Sequence, residues 1–419
     1  MNRSACLAPW VAWVVCTMAA TTGHAVALYV APDGDDGADG AQTTPWRTIQ
    51  HAVDLAQPGD VITVQAGEYS EAVDIVTIAE QAAPIVLQAA PDARVLLRSP
   101  SPGDTIEALD LAEAAHWTVR GFEIAGGYEE AVKVRRGAHH VTISNCSSHD
   151  SWAGFVCENA HDVTFEGCLA ERNETGGFVV SSGSVRIRFT RCRASNNRSG
   201  SGEKVKDTDG FRGEPDCADL TYEECVASDN EVVGFDVKGL GTFLLRCEAY
   251  GNLHGVRALT NDILLDGCHL HHNRDAGVIA NPAPSGGPIR IMRCTIAENA
   301  QQGVWVEKRQ STFDFDPMVS WATGIWDYTH DMGFVPAVYD MLIVDSVLAY
   351  NGSAGLDFQP DLRIVSQRNV FYRTDPDADV IVLRTEPAYR VSPRSGRQGA
   401  WRNLGPVGAW VGNSFSEPR

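Results

Sequence analysis

The chain has 419 residues, 44% hydrophobic and 21% charged, with enough apolar material for a large core and too much for a disordered chain. Asp and Glu number 54 against 34 Lys and Arg, and the resulting formal net charge of −20 repels polyanions unless a local cation patch or a bound metal overrides it, and excludes sequence-independent nucleic-acid binding. The 39 glycines and 20 prolines, spread along the chain, exclude a helical bundle or coiled coil and favour an architecture with many turns.

Residues 1–27 carry one charge, Arg3, then an apolar run, and end in Ala25-Val26-Ala27. That order is the pattern of a secretory signal peptide and predicts a secreted protein, extracellular or periplasmic. Cys16 follows Val15, which does not suit a lipoprotein cleavage site. No later stretch has the roughly 18 consecutive apolar residues of a membrane helix, so no membrane insertion is expected. Segment 28–70 reads as an opening and cap. Within it, 48–56 places Ile49, Ala52, Val53 and Ala56 at helical spacing and stops at Pro58-Gly59, predicting a short N-terminal capping helix.

From 71 to 374 the chain repeats with a period of about 22 residues. Cys146, Cys168, Cys192, Cys225, Cys247, Cys268 and Cys294 each close a stretch of alternating apolar residues, for example Val163 and Phe165 before Cys168. An asparagine follows most of them: Asn173, Asn197, Asn230, Asn252, Asn273 and Asn299. Ser346 and Asn351 extend the pattern without a thiol, and a Gly-apolar pair such as Gly234-Phe235 then opens another strand. Short strands and turns at this period, without helix, predict an all-β protein, a right-handed parallel β-helix in which each coil buries its inner face only against its neighbours. The cysteines then form an internal ladder of free thiols, because parallel Cβ vectors are poor geometry for a disulfide. The asparagines form a second ladder, bonded to one another and to the turns.

Two insertions, 198–208 and 308–340, interrupt the repeat and mark a functional face. The second carries Trp321, Trp326, Tyr328, Phe334 and Tyr339, which suit either sugar stacking or packing as a lid. After Thr374 the repeat fades, and 375–419 reads as a C-terminal cap. In the strand after each glycine the outward positions align as Val156, Val179, Arg212, Asp236, Arg257, Ile279 and Trp305, with Glu214 and Lys238 in the following row. Three charges on consecutive coils are either a site or a solvated charge ladder.

The opening motifs Tyr29-Val30-Ala31-Pro32-Asp33-Gly34, Pro45-Trp46-Arg47-Thr48-Ile49-Gln50 and Ala66-Gly67-Glu68-Tyr69 resemble those of exported β-helix polysaccharide lyases. The run Asp209-Gly210-Phe211, Val232-Val233-Gly234-Phe235-Asp236 and Gly255-Val256-Arg257 resembles the active-site run of family 9 pectate lyases. In that family an Asp-Gly-Phe coil and an Asp-Asp-Gly-Phe-Asp coil bind calcium, and a Gly-Phe-Lys coil carries the base. The resemblance therefore implies Asp209 and Asp236 as calcium ligands, Arg257 as the base, and Arg212, Lys238, Lys204, Lys206 and Trp305 as substrate-binding residues. Val232 and Val233 stand where acids are expected, and calcium prefers six to eight oxygens, so the implied ion is bound weakly or with the substrate.

The implied function is β-elimination of an acidic, uronate-containing polysaccharide by a monomeric enzyme. A cation neutralises the uronate carboxylate while a base removes the adjacent proton. The alternative is a non-catalytic exported β-helix that binds glycan or acts at the cell surface. The Asn-Thr-Asp, Gly-His-Gly and Arg-Ile-Lys signatures of polygalacturonases and the Asp-Pro-His-Asp run of mannuronan epimerases are absent from the sequence.

Overall fold

Within each coil the chain lays down three strands. His161–Glu166 points Val163 and Phe165 into the core, Leu169–Glu171 follows after a corner at Cys168, and Gly176–Ser181 follows after a corner at Asn173. Repetition of this unit gives a parallel β-solenoid with three sheets of 14, 13 and 13 strands, here called first, second and third in chain order, with 14 in the first. The computed structural model describes residues 25–306 except 102–105, 201–207, 261 and 283–286, then 341–372 except 350, 352–353 and 359–363, and four later strands, Ile381–Leu383, Tyr389–Val391, Trp410–Val411 and Ser414–Ser416.

The corners explain the sequence period. All nine cysteines from Cys146 to Cys294 are free and buried. The thiol of Cys225 lies 3.5 Å from the carbonyl of Phe189 in the preceding coil, and that of Cys247 lies 3.3 Å from Tyr222 O. At the second corner Asn230 Nδ2 donates to Asn252 Oδ1 at 2.9 Å and to Ala194 O at 3.1 Å. Its own Oδ1 accepts from Asn197 Nδ2 at 2.8 Å, so each amide satisfies the turns on both sides. The glycine that follows is a steric requirement. A Cβ on Gly234 would sit 2.6 Å from Gly255 O and 2.9 Å from Asn252 Nδ2.

Inside, Phe155, Phe178, Phe211 and Phe235 stack at 4.7–4.9 Å, edge-on to a second stack of Phe165, Phe189 and Tyr222. These spacings are those of neighbouring strands, so register and ring stacking enforce each other.

The helix expected within 48–56 spans Ile49–Leu55 and buries Ile49, Ala52 and Val53 beside the first strands. Thr48 caps it by accepting from His51 N, and the Glu71 carboxylate accepts from Ile49 N and Gln50 N at 3.0 and 3.1 Å. The strands of 85–98, Ile85–Ala89 and Val95–Arg98, join the first and second sheets. At the far end the segment 375–419, read from sequence as leaving the repeat, still places Ile381–Leu383, Trp410–Val411 and Ser414–Ser416 in the third, first and second sheets. Tyr389–Val391 then pairs antiparallel with Ile381–Leu383 at the edge of the third sheet. No helix among the described residues is long and apolar enough to cross a membrane.

Candidate functional site

The third sheet carries the charges. Its register pairs Val156 with Val179, Val179 with Arg212, Arg212 with Asp236, Asp236 with Arg257, Arg257 with Ile279 and Ile279 with Trp305. This is the outward row read from the sequence. Arg212, Asp236 and Arg257 therefore stand on three successive strands, Asp209–Gly213, Val233–Val237 and His254–Ala258.

Asp236 is fully buried and fully engaged. Arg257 donates to both its oxygens, Nε to Oδ1 at 2.8 Å and Nη2 to Oδ2 at 2.5 Å, and Lys238 Nζ lies 2.9 Å from Oδ2. Lys238 also reaches Glu214 Oε2 at 3.2 Å, whose other oxygen is 3.4 Å from Arg212 Nε. The result is one continuous network of two carboxylates and three cations.

Asp209 sits one strand away in a different state. It is buried, its Oδ1 accepts from Val233 N at 3.1 Å, and its Oδ2 has no hydrogen-bond partner. Burial, together with the negative charge of Asp236, pushes its carboxyl up to about 7 against the opposing pull of Arg257 and Arg212. The bend at the glycine thus brings the residue before it into the field of the outward row.

Two strands on, the same pre-glycine position holds His254, aligned with Val233. Its Nδ1 is buried without a hydrogen-bond partner and lies 3.8 Å from Asp275 Oδ2. Burial lowers its pKa; Asp275 opposes this, while the charges of Arg257 and Arg274 reinforce it, which favours a neutral ring. Sequence reasoning passed over His254. The available signal was its place directly before Gly255, as Asp209 stands before Gly210.

A second group of charges lies on the same sheet, three strands towards the N-terminus. Lys133 Nζ is 3.4–3.6 Å from Glu107, Glu130 and Glu158, and Arg135 grips Asp110 through Nε and Nη2 at 2.9 and 2.5 Å. Burial pushes the Glu130 carboxyl up to about 7, and its Oε2 has no hydrogen-bond partner. Between the two groups the face is apolar, with Val156 and Val179 packed on Ala153 and the neighbouring Trp152 47% exposed. None of these residues was singled out from sequence as part of a site.

The residues expected to act together are thus only partly joined. Asp209, Arg212, Asp236, Lys238 and Arg257 converge. Trp305 lies on the same row, two strands beyond Arg257. Lys204, Lys206 and the 308–340 insertion lie outside the described residues. Arg257, expected as the base, has two N–H groups committed to Asp236, and a guanidinium offers no acceptor.

The donor set around Asp209 and Asp236 does not fit a resident calcium ion. Among the described residues both oxygens of Asp236 face Arg257 or Lys238, Val232 and Val233 contribute no side-chain oxygen, and Glu231 Oε2 is held by Ser199 N and Oγ at 2.7 and 2.6 Å. Three cations beside the pocket would repel a further one, and calcium requires six to eight oxygens. The cations themselves can supply the neutralising charge.

Comparison with known proteins gives a match of residues 28–237 to the family model described as the Pel9A-like, right handed beta helix region. Pectate lyase PEL9 of Emericella nidulans is 27% identical over 151 residues, 32% of this chain and 37% of that protein, so the match spans little more than a third of the relative's length. Among solved structures, an alginate lyase from Paenibacillus sp. str. FPU-7 superposes with a TM-score of 0.51 at 14% identity, covering 62% of this chain and 95% of that one. The A-module of the Azotobacter vinelandii mannuronan C-5 epimerase AlgE4 gives 0.54 at 15% identity, covering 88% and 91%. At these identities the two structures establish a shared fold.

Proposed function

The chain belongs to the family of Pel9A-like right-handed β-helix proteins, and on that footing we propose that it is a secreted polysaccharide lyase that cleaves an acidic, uronate-containing polysaccharide by β-elimination on its third sheet. The observation that carries this reading is the network in which Arg212, Lys238 and Arg257 surround buried Asp236, next to Asp209 and His254. Lyase chemistry on uronates asks for such a set. The carboxylate of the sugar gathers charge as its neighbouring proton leaves, and fixed cations in a partly buried site stabilise that charge.

In this reading Arg257 and Arg212 face the substrate carboxylate and Asp236 holds the guanidinium of Arg257 in place. The proton acceptor is His254. A proton on Nδ1, the nitrogen that lies 3.8 Å from the Asp275 carboxylate, leaves the lone pair on Nε2, and the lowered pKa favours the neutral ring that a base needs. As the C–H electrons form the new C=C double bond, the C–O bond to the glycosidic oxygen breaks with its electron pair on that oxygen, to which Asp209, protonated below about pH 7, is suited to donate a hydrogen bond. No step depends on resident calcium. The pattern of residues 1–27 accords with export, and Trp152 supplies an exposed ring on which a sugar can stack.

The test is incubation of the protein with polygalacturonate, alginate and other uronate polymers, with and without added calcium. The expected result is rising near-ultraviolet absorbance from unsaturated uronate ends, independent of calcium, lost in His254→Ala and reduced in Arg257→Lys. New reducing ends without that absorbance would mean hydrolysis. The second reading, a non-catalytic glycan-binding β-helix, draws on the mutual pairing of Asp236, Lys238, Glu214 and Arg257, and it predicts binding to these polymers without cleavage.

A further inference from the structure

The second sheet carries a different constellation, away from the charged face. The strand Glu248–Tyr250 pairs in register with His269–His271, so Glu248 stands beside His269 and Tyr250 beside His271. Alternation along the second strand buries Leu270 and turns His269 and His271 to the same outer face. His271 Nε2 lies 3.0 Å from Glu248 Oε1 and His269 Nδ1 lies 3.8 Å from the same oxygen. One ligand atom from each residue falls within 4.8 Å of the others.

The hydrogen bonds behind this trio determine what lies in front of it. His272, turned aside at a left-handed corner with φ 51°, places Nε2 2.7 Å from Glu298 Oε2, so that nitrogen donates to the carboxylate. In a neutral ring its Nδ1 is then an acceptor, and it sits 2.8 Å from His271 Nδ1. His271 therefore donates through Nδ1, which leaves a bare lone pair on Nε2 facing the carboxylate of Glu248. Two acceptors at 3.0 Å repel unless a proton or a metal ion stands between them, and two imidazoles converging on one carboxylate offer a metal ion more ligands than a proton can use.

We propose that Glu248, His269 and His271 form a binding site for a divalent transition metal of the zinc class, and that His272 and Glu298 fix His271 in the tautomer that presents Nε2 to the ion. Two imidazoles and a carboxylate are the ligand types such metals take, and tetrahedral ligands at about 2.0 Å from zinc are separated by about 3.3 Å, between the two measured distances. A carboxylate–imidazole pair behind a ligating histidine is the usual outer support of such sites. Tyr250, stacked on His271 at 5.2 Å, restrains the ring further. With three protein ligands the ion keeps an open position for water, and it ties two successive coils together. The other candidate trio, His116, His139 and His140 at the first sheet, lacks a carboxylate, and its 2.9 Å contact between His139 Nδ1 and His140 Nδ1 is satisfied by one imidazole donating to the other.

The test is calorimetric titration of the untagged full chain, stripped with a chelator, using Zn²⁺ and in parallel Ca²⁺. Zinc is expected to bind at one equivalent and raise the thermal unfolding temperature, with no comparable heat from calcium. His269 is half exposed, so His269→Ala leaves the core intact and should abolish binding, as should Glu248→Gln. His272→Ala should weaken it roughly 10- to 100-fold. His139→Ala should leave it unchanged. Absence of zinc binding, unchanged binding in His269→Ala, or its loss in His139→Ala would overturn the proposal, and none of these outcomes bears on the lyase reading of the third sheet.

Discussion

Asp209 and Asp236 are buried on adjacent strands, yet only Asp236 is matched by cations, and its charge is one of the forces that keep Asp209 protonated. The pair divides one negative charge unequally, and this sets a pH dependence. Because Asp209 has a folded-state pKa raised to about 7, well above its unfolded value of about 3.9, the protonated form favours folding; that contribution is complete below about pH 4 and is lost as pH rises through 7. Asp209→Asn keeps the oxygen that accepts from Val233 N and removes the ionisation. Its thermal unfolding temperature relative to the parent should therefore climb between pH 5 and pH 8, whereas a flat difference would show that Asp209 does not titrate in this range.

Removing the other member has a different signature. Asp236→Ala removes the buried carboxylate that Arg257 and Lys238 share and leaves Glu214 as the ion-pair partner of Lys238, and breaking a buried pair in this way costs about 3–5 kcal/mol. Denaturant titration at pH 7 reads the loss directly, and a cost below about 1 kcal/mol would mean the network is effectively solvated.

The asparagine corners give a sharper test of the fold. Asn230→Ala removes the acceptor of Asn197 N and the side-chain donor to Ala194 O in a buried corner, while Asn197 Nδ2 keeps Ala170 O and Asn252 Oδ1 keeps Asn230 N. With roughly 1–3 kcal/mol for each group that loses its partner, a loss of about 2 kcal/mol or more is expected from chemical unfolding.

The thiols should tolerate a smaller change than their burial implies. Ser346 occupies the corner equivalent to the cysteines and donates to Val344 O at 2.9 Å. The same carbonyls surround Cys225, so Cys225→Ser should cost no more than about 1 kcal/mol by thermal unfolding. Under native conditions the nine thiols from Cys146 to Cys294 should resist alkylation, as peptide mass mapping would show, and all should react once the chain is unfolded.

Much of this was legible in the order of residues. Apolar alternation before Cys168 or Cys192, an asparagine after it and a glycine beyond fix which side chains face inward, and the register of Arg212, Asp236 and Arg257 follows from counting. What counting cannot supply is distance between side chains. The closure of Arg257 and Lys238 on Asp236 needs both the strand register and the rotamers, so Arg257 reads from sequence as a base while the structure places it in an ion pair. His254 precedes Gly255, and Glu130 holds the equivalent place before Ala131; both escaped notice because the chain bends there and simple alternation no longer assigns a face.

The antiparallel turn-back of Tyr389–Val391 on Ile381–Leu383 changes the edge that the third sheet offers to another chain. A parallel solenoid ends in a row of unpaired amides and carbonyls spaced to accept another strand running the same way, and a second copy carries such strands at its other end. Reversing the last strand changes the hydrogen-bond pattern offered at that edge, so an incoming parallel strand finds donors and acceptors out of step. At the opposite end the helix Ile49–Leu55 sits beside the first strands. The third sheet of a core that could otherwise grow without limit is thereby blunted at its last strand, and deleting that strand should favour head-to-tail association through this edge.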